Sequence, residues 1–182
     1  IKDVKTMIYA FFELHERLPK VRLHIMGGVD DEEYGAECHV LVETLGVRDL
    51  IFTGRVNVVE YMEKLDFTIL TSISEGQPLS VLESLAARRP CVTTEVGCCR
   101  ELLEGAPGDD FGVAGFVTPP MYRKGLADAM ERMCTSRARR IEMGERGQRR
   151  VATYFLHEQM LANYRALYDE TARAFNLPRE GE

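Results

Sequence analysis

The sequence predicts an α/β protein: a Rossmann-like parallel sheet with helices on both faces, followed by a helical C-terminal tail. Three observations predict it. Short apolar runs, VRLHIM, LIFTG, FTIL and PCVTT, are bounded by turn residues and too short for helices. Longer runs with apolar residues three and four positions apart separate them. Finally, parallel neighbours need a crossover, and strand–helix repetition of this length supplies one.

Val4, Met7, Ile8, Phe11, Phe12, His15 and Leu18 fall at helical spacing, and Pro19 disfavours helical backbone at Leu18, so the first helix ends there. His15 belongs to the edge of that apolar face, a core-edge histidine and not a catalytic one. Val21, Leu23 and Ile25 alternate in a strand closed by Gly27 and Gly28. Such a pair lets a ligand approach the backbone, and equally serves as a plain turn. The segment Asp31 to Leu45 reads as a helix with acids in its first turn and Gly46 as its stop. Its acidic start is a solvated helix end, not a metal site. Leu50 to Gly54 is a strand, Asn57 caps a short helix over Val58 to Leu65, and Phe67 to Leu70 is the next strand.

From Thr71 to Ala87, TSISEGQPLSVLESLAA, a strand end passes through a polar turn with Gly76 and Pro78 into a helix whose periodic residues are Leu79, Val81, Leu82, Leu85 and Ala86. Arg88 and Arg89 read as complements of the helix carboxyl end more readily than as phosphate ligands. Pro90 to Thr94 is a strand, Glu95-Val96-Gly97 leads into a short helix around Arg100 to Leu103, AGFVTPP holds the last strand, and Tyr122 to Cys134 is a helix. From Ala138 the chain reads as helix, with Arg139, Arg140, Arg146, Arg149 and Arg150 exposed and balanced by Glu142, Glu145 and Glu158. Its packing residues are Val151, Tyr154, Phe155, Leu161, Tyr164, Leu167 and Tyr168.

Length and charge narrow the function. At 182 residues the chain can build one full core with a helical tail. No apolar run approaches the roughly 18 residues of a membrane span, which argues against an integral membrane protein, and there is no signal-peptide pattern. A net charge of −6 argues against nucleic acid as a partner, although local basic residues can still hold one diphosphate. Five cysteines, with no CxxC pair, read as reduced thiols of a cytoplasmic protein. Cys98 and Cys99 read as small packing residues more readily than as a redox pair.

Two carboxylates bracket the central turn, Glu75 before Gly76 and Glu83 in the second turn of the helix. Between them the helix start presents unpaired N–H groups and the positive end of its dipole. Ionised carboxylates only accept hydrogen bonds, so a ligand matching this layout carries a diphosphate in its middle and hydroxyls at both ends. A nucleoside diphosphate sugar is built that way.

The E-x7-E pair of Glu75 and Glu83 inside SEGQPLSVLESLA, followed by RRPCVTTEVGCCRELLEG, resembles the donor-binding domain of retaining family 4 glycosyltransferases of the two-Rossmann-domain type. The likeness covers nearly the whole chain. IKDVKT and GCCREL look most like the Pel exopolysaccharide branch. A lone E-x7-E is common by chance; the strand, SEGxP turn, helix and VGCCREL around it make it specific. That family places a glycine near Arg88, which this chain lacks.

The resemblance implies transfer of a sugar, with retention, from a nucleoside diphosphate donor, UDP-glucose or a UDP-N-acetylhexosamine, to an acceptor hydroxyl. The leaving phosphate helps deprotonate the acceptor, and no metal is needed. It makes Glu75 the candidate catalytic residue, binding sugar hydroxyls, and gives Glu83 the ribose hydroxyls. Gly76, Gln77 and Pro78 line the sugar, the N–H groups of Leu79 and Ser80 meet the diphosphate, Lys2 clamps it together with an upstream arginine that has no counterpart in this chain, and the Gly27 loop lies near the nucleotide. Arg55 is a candidate partner of base or diphosphate. Plain alternatives stand beside these: Glu83 as an exposed helix residue, Glu75 as a loop acid at a helix start, Lys2 and Arg55 as solvated cations.

The implied organisation is a nucleotide-sugar-binding unit over 1–136 lacking its first strand, C-terminal helices over 137–176 packed on it, and a disordered tail over 177–182. In that family Ile1 follows a strand and an acceptor-binding domain, so this chain alone is expected to be inactive. Other readings are a non-catalytic nucleotide-binding regulatory or assembly module and, less well supported by the residues, a nucleotide-sugar epimerase.

Overall fold

The computed structural model describes residues 1–175. In chain order the elements are α1 (Val4–Arg17), β1 (Leu23–Met26), α2 (Glu32–Leu45), β2 (Leu50–Gly54), α3 (Val58–Met62), β3 (Thr68–Leu70), α4 (Leu79–Ala86), β4 (Cys91–Thr94), α5 (Cys99–Glu104), β5 (Gly115–Thr118), α6 (Arg123–Cys134), α7 (Arg137–Tyr154) and α8 (His157–Phe175). Local chemistry sets many of these limits. Asp3, Asp31 and Ser136 each accept a bond from a first-turn N–H of α1, α2 and α7, the ordinary N-cap arrangement. Gly46 closes α2 in a left-handed conformation. The Asn57 side chain instead bonds Glu60 and caps no N–H, and α3 ends at Met62, three residues before the expected limit. The tail expected over 177–182 lies outside the described residues.

All strand pairs are parallel, as predicted, but they form two sheets. β1 pairs with β2, starting from Leu23 opposite Leu50, and β4 lies between β3 and β5. A cleft of about 1550 Å³ is lined by residues of β1, β3, α1 and the turn that follows β3, among others.

Helices cover both faces. All four residues of β4 are buried. Val92 packs with Phe11, Leu14, Leu126 and Met130 of α1 and α6, while Cys91 packs with Val81, Leu85, Leu102 and Leu103 of α4 and α5. The alternation of a strand thus divides the core between two helix layers. α7 closes the second layer by close approach. A Cβ on Gly144 would lie 2.2 Å from the Arg88 carbonyl oxygen, and one on Gly147 2.5 Å from Leu85.

The tail departs from expectation at Arg140, at Arg150 and along its apolar residues; Arg140, with a side chain 15% exposed, donates to Asp66 and to the carbonyls of Met133 and Cys134. Arg150 is buried, 1% exposed, not on a solvated face. Its guanidinium donates to Asp109 at 2.5 and 3.1 Å and to the carbonyls of Leu102, Leu103 and Gly112. Its five bonds go to five acceptor oxygens on four residues, so the charge is compensated where burial is costly. Conversely, Tyr154, Leu161, Tyr164, Leu167 and Tyr168 are exposed rather than packing, and α8 has no buried residue. Val151 and Phe155 do pack against the α4–α5 layer.

Candidate functional site

The β3–α4 turn is held open by its neighbours. Ile73 N–H donates to the Ile1 carbonyl at 2.9 Å, and the buried Thr71 hydroxyl donates to the Lys2 carbonyl at 2.8 Å. These bonds pin the segment before α1 against the carboxyl end of β3. Lys2 Nζ thereby comes 2.5 Å from Glu75 Oε1, and the Ser72 hydroxyl donates to the same oxygen at 2.7 Å. Glu75 Oε2 has no hydrogen-bond partner among the described residues, leaving acceptor capacity for a ligand.

Partial burial pushes the Glu75 carboxyl up, but the bonds from Lys2 and Ser72 and the lysine charge outweigh it, so its pKa falls below the ordinary value. The group is a carboxylate at neutral pH.

A second loop, from β4 to α5, crosses beneath this turn. The buried Thr94 hydroxyl donates to the Ser72 carbonyl at 2.5 Å, and Cys98 N–H to the Gly76 carbonyl at 3.0 Å. Gly97, at φ 50°, lies so close that a Cβ there would be 2.1 Å from Gly76 O and 2.5 Å from Glu75 O. By contrast Gly76 faces open space, room for a ligand against its backbone.

Of the residues singled out in the sequence, Lys2, Gly27, Glu75, Gly76 and Ser80 line one cleft. Pro78 opens α4 as its N-cap without a side-chain cap bond, so the first-turn N–H groups of Leu79 and Ser80 have no intrahelical acceptor. Gln77, Leu79 and Glu83 are exposed on the same turn and helix. Leu79, 67% exposed, therefore belongs to the site's surface and not to the core. Glu83 shares the helix face of Leu79 and Ser80, four and three residues earlier. Arg55 lies over Gly28, where a Cβ would come 3.1 Å from its Nε, and so borders the Gly27 loop.

Ser72, Thr94, Gly97 and Thr71 were not singled out as site residues. Thr94 and Gly97 lie in the RRPCVTTEVGCCRELLEG stretch that carries the resemblance, and Thr71 and Ser72 at the strand end feeding the turn, but nothing local marks their contacts. Arg89 caps the carboxyl end of α3, donating to the Met62 and Glu63 carbonyls, while Arg88 bonds Gln148.

Burial pushes the Cys91 thiol up to about 11 and raises those of Cys98 and Cys99, so none is a nucleophilic thiolate near neutral pH. His15 is half-buried at the edge of α1, 3.4 Å from Asp49.

A family model described as "Glycosyl transferases group 1" matches residues 1–136. The chain belongs to the group 1 glycosyltransferases. N-acetyl-alpha-D-glucosaminyl L-malate synthase of Bacillus anthracis is 27% identical over 177 residues, 95% of this chain and 43% of that protein. The chain thus spans less than half the length of this relative. Among solved structures, S. aureus TarM, crystallised with UDP among its ligands, superposes with a TM-score of 0.78 at 18% identity, over 92% of this chain and 33% of TarM. The C-terminal domain of the group 1 glycosyltransferase LpcC from Francisella tularensis superposes with a TM-score of 0.72 at 20% identity, covering 86% of this chain and 80% of that domain. At these identities the two structures show the fold: Rossmann-like α/β, as the sequence predicts. Among the described residues no helix is long and apolar enough to cross a membrane.

Proposed function

We propose that this chain is the donor-binding half of a retaining glycosyltransferase that moves a sugar from a nucleoside diphosphate to an acceptor hydroxyl. The observation that carries the reading is the meeting of Lys2, Glu75 and the start of α4 in one cleft. Glu75 accepts bonds from sugar hydroxyls through its open oxygen. The N–H groups of Leu79 and Ser80, with Lys2, face the diphosphate. Glu83 accepts from the ribose, and Gly27 and Arg55 border the nucleotide.

In this reading the bond from the anomeric carbon to the diphosphate oxygen breaks as the acceptor oxygen attacks from the same face, and the acceptor's proton passes to the departing diphosphate. Lys2 and the helix N-terminus stabilise the negative charge that develops on the leaving group, preorganised before the reaction begins. No metal is assigned to this role, because these donors already supply the countercharge.

UDP is the nucleotide favoured here, with glucose or an N-acetylhexosamine as the sugar. TarM was crystallised with UDP, and the Pel-like segments favour exopolysaccharide synthesis in the cytoplasm. A further acceptor-binding domain completes the enzyme, and this chain alone binds donor without turnover.

Calorimetric titration of the chain with UDP, ADP and GDP, then with UDP-glucose, with and without EDTA, tests the reading. Selective UDP binding that survives EDTA is expected. A folded chain that binds no nucleotide would overturn it, and would favour a scaffold role.

A further inference from the structure

We infer that Thr94 and Gly97, on the β4–α5 loop, are positioning residues that set where the Glu75 carboxylate stands. The inference rests on the reading of Glu75 as the carboxylate that receives the sugar. Neither residue lies in the β3–α4 turn, yet together they fix both ends of it. Thr94 holds the Ser72 carbonyl at 2.5 Å from a side chain that is 1% exposed. Ser72 in turn directs its hydroxyl at Glu75 Oε1. At the other end the Glu75–Gly76 peptide rests on Gly97, with only a missing side chain's worth of space between them, and Cys98 N–H holds the Gly76 oxygen at 3.0 Å.

Both anchors act on backbone, which cannot swing aside as the tip of a long side chain can. A methyl group at Gly97 would sit 2.1 Å from Gly76 O, 2.5 Å from Glu75 O and 2.9 Å from Glu75 C. The Glu75–Gly76 peptide must therefore move or turn. Gly97 also adopts φ 50°, where an added side chain is strained in its own right. Removing the Thr94 hydroxyl leaves the Ser72 carbonyl without its buried partner and frees the residue that aims at Glu75.

The cleft wall that meets the diphosphate is built differently. The N–H groups of Leu79 and Ser80 come from α4, whose body is held by Val81 and Leu85 in the core. Displacing Glu75 therefore affects the sugar end of a donor more than the nucleotide end. A loop contact that merely stabilised the fold would weaken both ends together.

That difference is measurable with the whole 182-residue chain, titrating UDP and UDP-glucose in parallel. Thr94→Val and Gly97→Ala are expected to weaken UDP-glucose about tenfold, the size of one hydrogen bond to a charged group, while UDP changes less than about twofold. Thr94→Ser, which keeps the hydroxyl, restores the wild-type value. In a Glu75→Gln background the Thr94→Val substitution costs nothing further, because the group it positions is already impaired.

Parallel losses for UDP and UDP-glucose, or full additivity with Glu75→Gln, would overturn the inference. The Thr94 variants keep the test decisive should Gly97→Ala fail to fold. If Glu75→Gln alone leaves UDP-glucose binding unchanged, the functional reading of Glu75 fails, and the inference with it. If it weakens binding while Thr94→Val does not, the positioning inference fails alone.

Discussion

Lys2 and Ser72 both donate to Glu75 Oε1, at 2.5 and 2.7 Å, while Oε2 has no hydrogen-bond partner among the described residues. The two donors lower the Glu75 pKa against the opposing push of burial. Lys2→Met removes the one charged donor of the two and should raise the Glu75 midpoint in a carboxyl-carbon NMR titration. For a depressed carboxyl, what depends on the ionised form is present above the ordinary value of about 4.3 and is lost as pH falls through the lower folded value. Sugar binding through Glu75 is therefore expected to persist below the ordinary carboxyl value in the wild type and to fade at higher pH in Lys2→Met. An unchanged midpoint would show that Lys2 does not govern this carboxylate.

Arg150 and Asp109 form a second, deeper pair, with side chains 1% and 4% exposed. Arg150→Met leaves Asp109 and the carbonyls of Leu102, Leu103 and Gly112 without their donor. Breaking one side of a buried pair costs about 3–5 kcal/mol, and urea unfolding should show a loss of that order. The bond from Arg150 holds the Asp109 carboxyl below its ordinary range. Stability from this group is thus present above about pH 4 and lost as pH falls through the folded value. The pH slope of stability below pH 4 should flatten in Asp109→Asn; an unaltered slope would exclude Asp109 as the titrating group.

Arg88 adopts φ 58°, the left-handed conformation that the family's glycine would take without cost. Relief of strain in Arg88→Gly is worth about 1–2 kcal/mol. The extra freedom of glycine in the unfolded chain offsets about 0.5–1 kcal/mol, and the exposed bond to Gln148 little more. A net gain of about 0.5–1 kcal/mol in thermal or urea unfolding is expected. Gly144→Ala at the facing helix should do the opposite, because its methyl group would strike the Arg88 carbonyl. Destabilisation by Arg88→Gly would mean that the Arg88 contacts outweigh its backbone strain.

What the sequence could disclose was what depends on neighbours in sequence. Helix spacing, the caps at Asp31 and Gly46 and the strand LIFTG are local, and they stand in the structure nearly as read. So is the turn that carries Glu75, Gly76 and Ser80. Arg150 was misread because its partner, Asp109, lies 41 residues away, and a lone arginine among arginines on a helix has no local mark of burial. The α8 aromatics were misread for the same reason in reverse, since periodicity shows an apolar face without showing that anything covers it. Thr94 and Gly97 escaped notice because their importance is a tertiary approach to another loop. Parallel pairing was legible from the βα alternation, but its division into two sheets depends on which strands meet edge to edge.

Glu83 is exposed on α4, on the face that carries Leu79 and Ser80. Two readings make opposite forecasts for Glu83→Ala. As an exposed helix residue it is replaceable by alanine at little cost to stability, because alanine is the better helix former. As the acceptor of ribose hydroxyls it contributes charge-assisted hydrogen bonds, and its loss should weaken UDP binding by about 1.5–3 kcal/mol, roughly 10- to 150-fold. The same substitution should leave the thermal midpoint within about 2 °C, since nothing in the core changes. Calorimetry on the folded variant separates the two: weakened UDP binding at unaltered stability assigns the ribose contact to Glu83, and unaltered affinity returns it to the solvated face of the helix. Pairing this result with Glu75→Gln divides the donor. If Glu83 governs UDP and Glu75 governs only the sugar conjugate, the two carboxylates hold opposite ends of one ligand across the start of α4.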